Sequence, residues 1–129
     1  MFAVGTRRQE AVGRVLQEAV AEVIRREVRD PRIGFVTVVG VEASADLRHA
    51  RVRVSILAES EEECAECLAG IESARTFIQR LVAERVRLRY APELVFIRDR
   101  GFENAERVAR ILHEIAAEQH REGDAGETP

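Results

Sequence analysis

With 129 residues, 46% of them hydrophobic and 33% charged, the chain is long enough for one domain with its own core and too apolar to stay unfolded. All 20 basic residues are arginine, a bias that a GC-rich genome explains and that excludes Schiff-base lysine chemistry and a Walker-type phosphate loop. No apolar run approaches the roughly 18 residues of a membrane span, and the opening MFAVGTRRQE is too weakly apolar for a secretory signal, so a soluble cytoplasmic protein is expected.

Thr6 with Gln9 forms a capping box, and Val12, Val15, Leu16, Ala19, Val23 and Ile24 recur at helical spacing behind it. Asp30-Pro31 stops this helix, because proline drives its predecessor out of the α region. Phe35–Val41 is short and β-branched, as a buried strand should be. Glu42–His49 supplies turn chemistry, and Ala50–Leu57 alternates, with Ala50, Val52, Val54 and Ile56 on one side and Arg51, Arg53 and Ser55 on the other. The pair predicts an antiparallel hairpin with one packed and one wet face.

Ser60 with Glu63 is a second capping box, opening a stripe of Cys64, Leu68, Ile71, Ala74, Ile78, Leu81 and Val82. Gly70 and the β-branched Thr76 weaken its middle and predict a kink or break between Gly70 and Phe77. Val86–Tyr90 alternates again, Ala91-Pro92 interrupts, and Leu94–Ile97 reads as a short strand. Asn104 is placed to cap a last helix with Val108, Ile111, Leu112 and Ile115 on its core side. From Ala116 the chain loses its apolar period and turns acidic, which predicts a tail without regular structure over 116–129. These elements give an α+β domain, a three-stranded sheet with helices on one face.

The net charge of −3 conceals a segregation: residues 59–72 hold six acids and no arginine, whereas residues 73–110 hold nine arginines and five acids. A local cationic surface is therefore compatible with an acidic chain, and clustered arginines suit phosphate. One tyrosine and no tryptophan exclude base stacking as the main mode of any nucleic-acid contact. Cys64-Ala-Glu-Cys67 is formally a C-x-x-C, but the chain has no further cysteine and its histidines lack paired ligand spacing, so small buried helix residues are the expected reading. No glycine-rich phosphate loop or nucleophile elbow is present; neither catalysis nor a cofactor is expected.

Four stretches in order resemble the ribosome-binding factor A family: DPRIG (30–34), VEASADLRHARVRVS (41–55), LRYAPELVF (88–96) and RVARILHEI (107–115). The resemblance implies a KH-like domain of type II order, α-β-β-α-α-β, with a C-terminal helix, over residues 1–115. In that family an Ala-x-Gly kink between two helices replaces the G-x-x-G loop of other KH domains. The matching positions here read Ala74-Arg75-Thr76, so either the kink forms with threonine or the helix runs straighter. By the same resemblance the expected function is non-catalytic. The protein would bind the immature small ribosomal subunit through 16S rRNA as a monomer and assist rRNA maturation and growth in the cold, with assembly GTPases as less direct partners. The residues expected to meet RNA are Ala74, Arg75, Thr76 and Arg80 at the kink and Arg87 and Arg89 beyond it. Arg51 and Arg53 come second, because a wet sheet face explains them. The competing reading is a protein-interaction module with a charged docking helix.

Overall fold

A computed structural model describes residues 5–126. The chain divides into two units, residues 1–99 and 100–129. The first holds helix α1 (Arg7–Arg26), strands β1 (Phe35–Ala43) and β2 (His49–Leu57), helices α2 (Glu61–Ser73) and α3 (Arg75–Val86), and strand β3 (Glu93–Arg98). This is the type II order, and among the described residues no helix is long and apolar enough to cross a membrane.

The Thr6–Gln9 box opens α1: the Gln9 amide donates to Thr6 Oγ1 at 3.3 Å and Gln9 Oε1 accepts from the Thr6 amide at 3.0 Å. The buried stripe is rotated slightly from the predicted one, with Val20 enclosed and Val15 exposed. Gly13 lets the helix lie against β1, since a Cβ there would stand 2.5 Å from the Val41 carbonyl oxygen. The helix ends at Arg26, before Asp30-Pro31. Asp30 instead closes the following turn, accepting from the Arg32 amide at 2.9 Å and from its guanidinium at 2.7 Å.

β1 and β2 pair antiparallel as predicted, with Val38 opposite Val54 and a bulge between Val38 and Gly40. β3 lies parallel to β2, Val52 beside Phe96, in the sheet order β1-β2-β3. A parallel neighbour needs a long crossover, and α2 with α3 supplies it. One sheet face carries Ala50, Val52, Val54, Leu94 and Phe96 into a core shared with Leu16, Val20 and Val23 of α1, Ile71 of α2, and Ile78 and Val82 of α3. Cys64 and Cys67 are buried within the same core.

Two boundaries differ from expectation. Val86–Tyr90 is not a strand: Val86 ends α3 one turn beyond Val82, and Val86 and Leu88 both pack against the core, which accounts for the alternation. The second unit is helix α4 (Arg100–Gly126), which starts before Asn104 and continues through residues where an irregular tail was expected. Ala116, Ala117, Glu118 and Gln119 are strong helix formers, and propensity there outweighs the missing apolar period. Val108, Ile111, Leu112 and Ile115 share one side of α4, but they belong to no core within this unit.

Candidate nucleic-acid interface

The long helical pattern breaks at one residue. Ser60 caps α2, its hydroxyl accepting from the Glu63 amide at 3.2 Å, while Glu63 reaches the Glu59 amide rather than that of Ser60. At the other end Ala74 (φ −89°, ψ 0°) is the last cap of α2 and the first of α3. Its N–H is shared between the Gly70 and Ile71 carbonyls at 3.1 Å each, and its own carbonyl accepts from Ile78 at 2.8 Å. A ψ near 0° tightens the turn without leaving the right-handed region, so no glycine is required. Among the described residues only Leu47 and Arg87 combine a side chain with positive φ. The break therefore forms with threonine at position 76, exposed in the first turn of α3.

The DPRIG turn buttresses this junction. A Cβ at Gly70 would approach Ile33 Cγ1 at 2.9 Å and Asp30 Oδ2 at 3.3 Å, and Arg32 reaches Ser73 Oγ at 3.3 Å. Hydrogen bonds from the Arg32 side chain, then its amide, hold the Asp30 carboxyl below the ordinary carboxylate range. Two motifs far apart in sequence thus form one structural corner.

The predicted arginines fall into separate groups. Arg75 leaves the junction toward β3, 3.5 Å from Glu93 and 3.9 Å from Glu72. Arg80, one turn further along, is exposed and lies 5.5 Å from the Phe77 ring centroid. Arg87 ends α3 in the left-handed region (φ 53°) and is exposed. Arg89 follows in the loop before β3, 5.5 Å from the Tyr90 ring. Along the axis of α3 the rise is about 18 Å from Arg75 to Arg87 and about 10 Å from Arg80 to Arg87.

Arg51 and Arg53 stand apart, on the sheet face away from the core. Arg53 donates to Glu42 at 2.8 Å and to Asp99 at 2.9 Å, and Arg51 lies 3.6 Å from the same Glu42. Arg85, at the far end of α3, bridges to Glu22 and Glu27 and ties that helix to α1. By contrast Arg80, Arg87 and Arg89 face no carboxylate at ion-pair distance among the described residues. Arg8 and Arg48 share that state, and charge counting had singled out neither. Arg48 sits inside the hairpin turn, where sequence reads only turn chemistry.

Among the described residues no three His, Cys, Asp or Glu side chains are grouped to hold a metal ion. Burial pushes the Cys67 thiol up from its ordinary value, which disfavours the thiolate that nucleophilic or redox chemistry needs.

A KH-like α+β protein is what this element order, three-stranded sheet and broken helix pair define. The family model described as Ribosome-binding factor A matches residues 8–112. Ribosome-binding factor A of Thermomicrobium roseum is 46% identical over 94% of this chain and 93% of its own, and that of Halothermothrix orenii is 39% identical over 92% and 97%. Among solved structures, the crystal structure of ribosome-binding factor A from Thermus thermophilus is 30% identical with a TM-score of 0.61, over 70% of this chain and 94% of that one. A Thermus thermophilus homology model fitted into a cryo-EM map of a 30S complex is 31% identical with a TM-score of 0.58, over 74% and 97%. The chain belongs to the ribosome-binding factor A family.

Proposed function

We propose that the protein is a non-catalytic assembly factor that binds the immature small ribosomal subunit through 16S rRNA. The observation that carries this reading is its likeness, over nearly the full length of the relative, to a ribosome-binding factor A fitted into a 30S complex. In this reading Ala74 and Thr76 present the helix junction to the RNA, and Arg75, Arg80, Arg87 and Arg89 contact phosphates. Arg80, Arg87 and Arg89 are the stronger members, because among the described residues no carboxylate competes for them. Arg51 and Arg53 are subordinate, because Glu42 and Asp99 already engage them. Assistance to rRNA maturation, growth in the cold, a cytoplasmic monomer and assembly GTPases as indirect partners complete the reading.

Sucrose-gradient co-sedimentation with small and large subunits at two salt concentrations tests it. Binding to small subunits that falls steeply with salt is expected, since displaced counterions give a slope of about 0.7–0.9 per phosphate contacted. Charge reversal of Arg80 and Arg87 to glutamate should release the protein from small subunits at unchanged melting temperature. Migration only with mature particles, or with none, would refute the reading. A salt-insensitive association would point instead to an apolar protein-docking face.

A further inference from the structure

Tyr90 is the one tyrosine of the chain, and there is no tryptophan. Its ring is half exposed in the loop between α3 and β3. Arg48, from the hairpin turn, places its guanidinium carbon 4.7 Å from the ring centroid, and Arg89 places its own at 5.5 Å. Arg8, in the first turn of α1, lines the same cleft of about 170 Å³ with Asp46, Leu47, Leu88, Arg89 and Tyr90. Three segments distant in sequence thus meet around a single aromatic ring.

The charges in this cleft are not used up internally. Among the described residues Arg8, Arg48 and Arg89 have no carboxylate at ion-pair distance, whereas Arg32, Arg53, Arg75, Arg85 and Arg98 are all paired. The one acid of the lining, Asp46, is committed to the turn. Its Oδ1 accepts from the Ser44 hydroxyl at 2.6 Å and from the Arg48 amide at 3.0 Å, and these bonds hold its carboxyl below the ordinary range. Leu47 and Arg87, the two non-glycine residues with positive φ among the described residues, lie in the lining and beside it. Backbone conformations that side chains rarely adopt are therefore maintained where the arginines gather.

We infer that this cleft holds one unpaired RNA nucleotide, its base against Tyr90 and the adjacent guanidinium planes and its flanking phosphates on Arg8, Arg48 and Arg89. The inference rests on the RNA-binding reading above and gives that reading a nucleotide-level contact. An aromatic ring flanked by unpaired guanidiniums recognises a π-face and a phosphate together, which is the chemistry of a splayed-out base. A base inside a duplex presents only its edges. An acidic peptide would satisfy the arginines and leave the ring without a partner. The cleft has one ring, so it takes a single base, and phosphate contact supplies most of the binding elsewhere on the surface.

Because the chain has a single tyrosine, tyrosine-labelled protein gives one set of ring resonances, and those report on the cleft alone. Titration with a single-stranded oligouridylate of about eight nucleotides, within the span of one small domain, should move them upfield. Tyr90→Ala should weaken that binding by roughly 5- to 150-fold, the worth of one base stack, at unchanged melting temperature, and Tyr90→Phe should retain it. Arg48→Ala and Arg89→Ala should each reduce the salt slope by about 0.7. Ring resonances that stay fixed, a Tyr90→Ala variant that binds as the parent does, or polyglutamate that competes as well as the RNA would each overturn the inference. Co-sedimentation run in parallel separates the two readings: small-subunit binding by a protein whose ring does not respond removes the cleft alone. A responding ring without subunit binding keeps the cleft and removes the broader function.

Discussion

Arg53 on β2 donates from Nη1 to Asp99 Oδ2 at 2.9 Å, clamping the middle strand to the residue that follows β3. Its Nε bonds Glu42 on β1 at 2.8 Å, so one guanidinium joins all three strands. Gly40 makes room for it, since a Cβ there would collide with the guanidinium. This arginine is therefore expected to act mainly on stability. Arg53→Ala should lower unfolding free energy by about 1–2 kcal/mol, discounted from the worth of charged hydrogen bonds because the side chain is partly solvated. The salt slope of subunit binding should not change. A loss of slope without loss of stability would transfer Arg53 to the interface.

Gly13→Ala sets two known effects against each other. Alanine improves helix propensity by about 1 kcal/mol, but overpacking against a rigid neighbour costs about 1–3 kcal/mol. The neighbour here is the Val41 backbone carbonyl at 2.5 Å, which can move only if β1 moves. Net destabilisation is expected in chemical denaturation. Gly34→Ala, with no atom within 4 Å of the added Cβ, serves as the neutral control.

The hairpin turn depends on Ser44, which is almost fully buried. Its Oγ donates to Asp46 at 2.6 Å and accepts from the His49 amide at 3.0 Å. Ser44→Ala leaves that amide without its partner and should cost about 1–3 kcal/mol. Asp46 has its pKa lowered on folding, so its contribution is present above the unfolded carboxylate value and is lost as pH falls through the folded one. Stability of the parent should therefore fall more steeply below about pH 4 than that of an Asp46→Asn variant.

Thr76→Gly restores the glycine of the family pattern and should still lower stability, by up to about 1 kcal/mol. The reason is that the break lies in the right-handed turn at Ala74, and Thr76 is an ordinary first-turn helix residue. Thermal melts of the two proteins give the answer. A more stable glycine variant would mean that threonine strains the junction.

Element order and the hairpin were legible in the sequence because capping boxes and period-two alternation are local signals. The break near Gly70–Phe77 was legible for the same reason. What was not legible depends on distant partners. Arg51, Arg53, Arg75 and Arg89 look alike in a charge count. Three of them meet Glu42, Asp99 or Glu93 across the fold, and Arg89 meets no carboxylate at ion-pair distance among the described residues. Likewise Arg48 reads as turn chemistry until the loop after α3 brings Tyr90 beneath it. The false strand at Val86–Tyr90 has the same origin, since burial by the core imitated alternation.

Cys64 and Cys67 sit on the buried side of α2, nearly inaccessible, with the Gly34 amide bonded toward Cys67. Burial pushes the Cys67 thiol above its ordinary 9.0 more than that hydrogen bond lowers it. In the unfolded chain the thiol ionises at its ordinary value; in the folded protein it resists. Raising the pH through that window therefore favours the unfolded state, and stability is lost as pH climbs toward the folded pKa. The pH dependence of unfolding between roughly pH 8 and 10 should be steeper for the parent than for Cys67→Ala, even though the variant is less stable throughout. Alkylation by iodoacetamide in native buffer should be slow and limited by opening of α2, becoming rapid in denaturant. Fast native alkylation at neutral pH would instead reveal a reactive thiolate at the C-x-x-C pair.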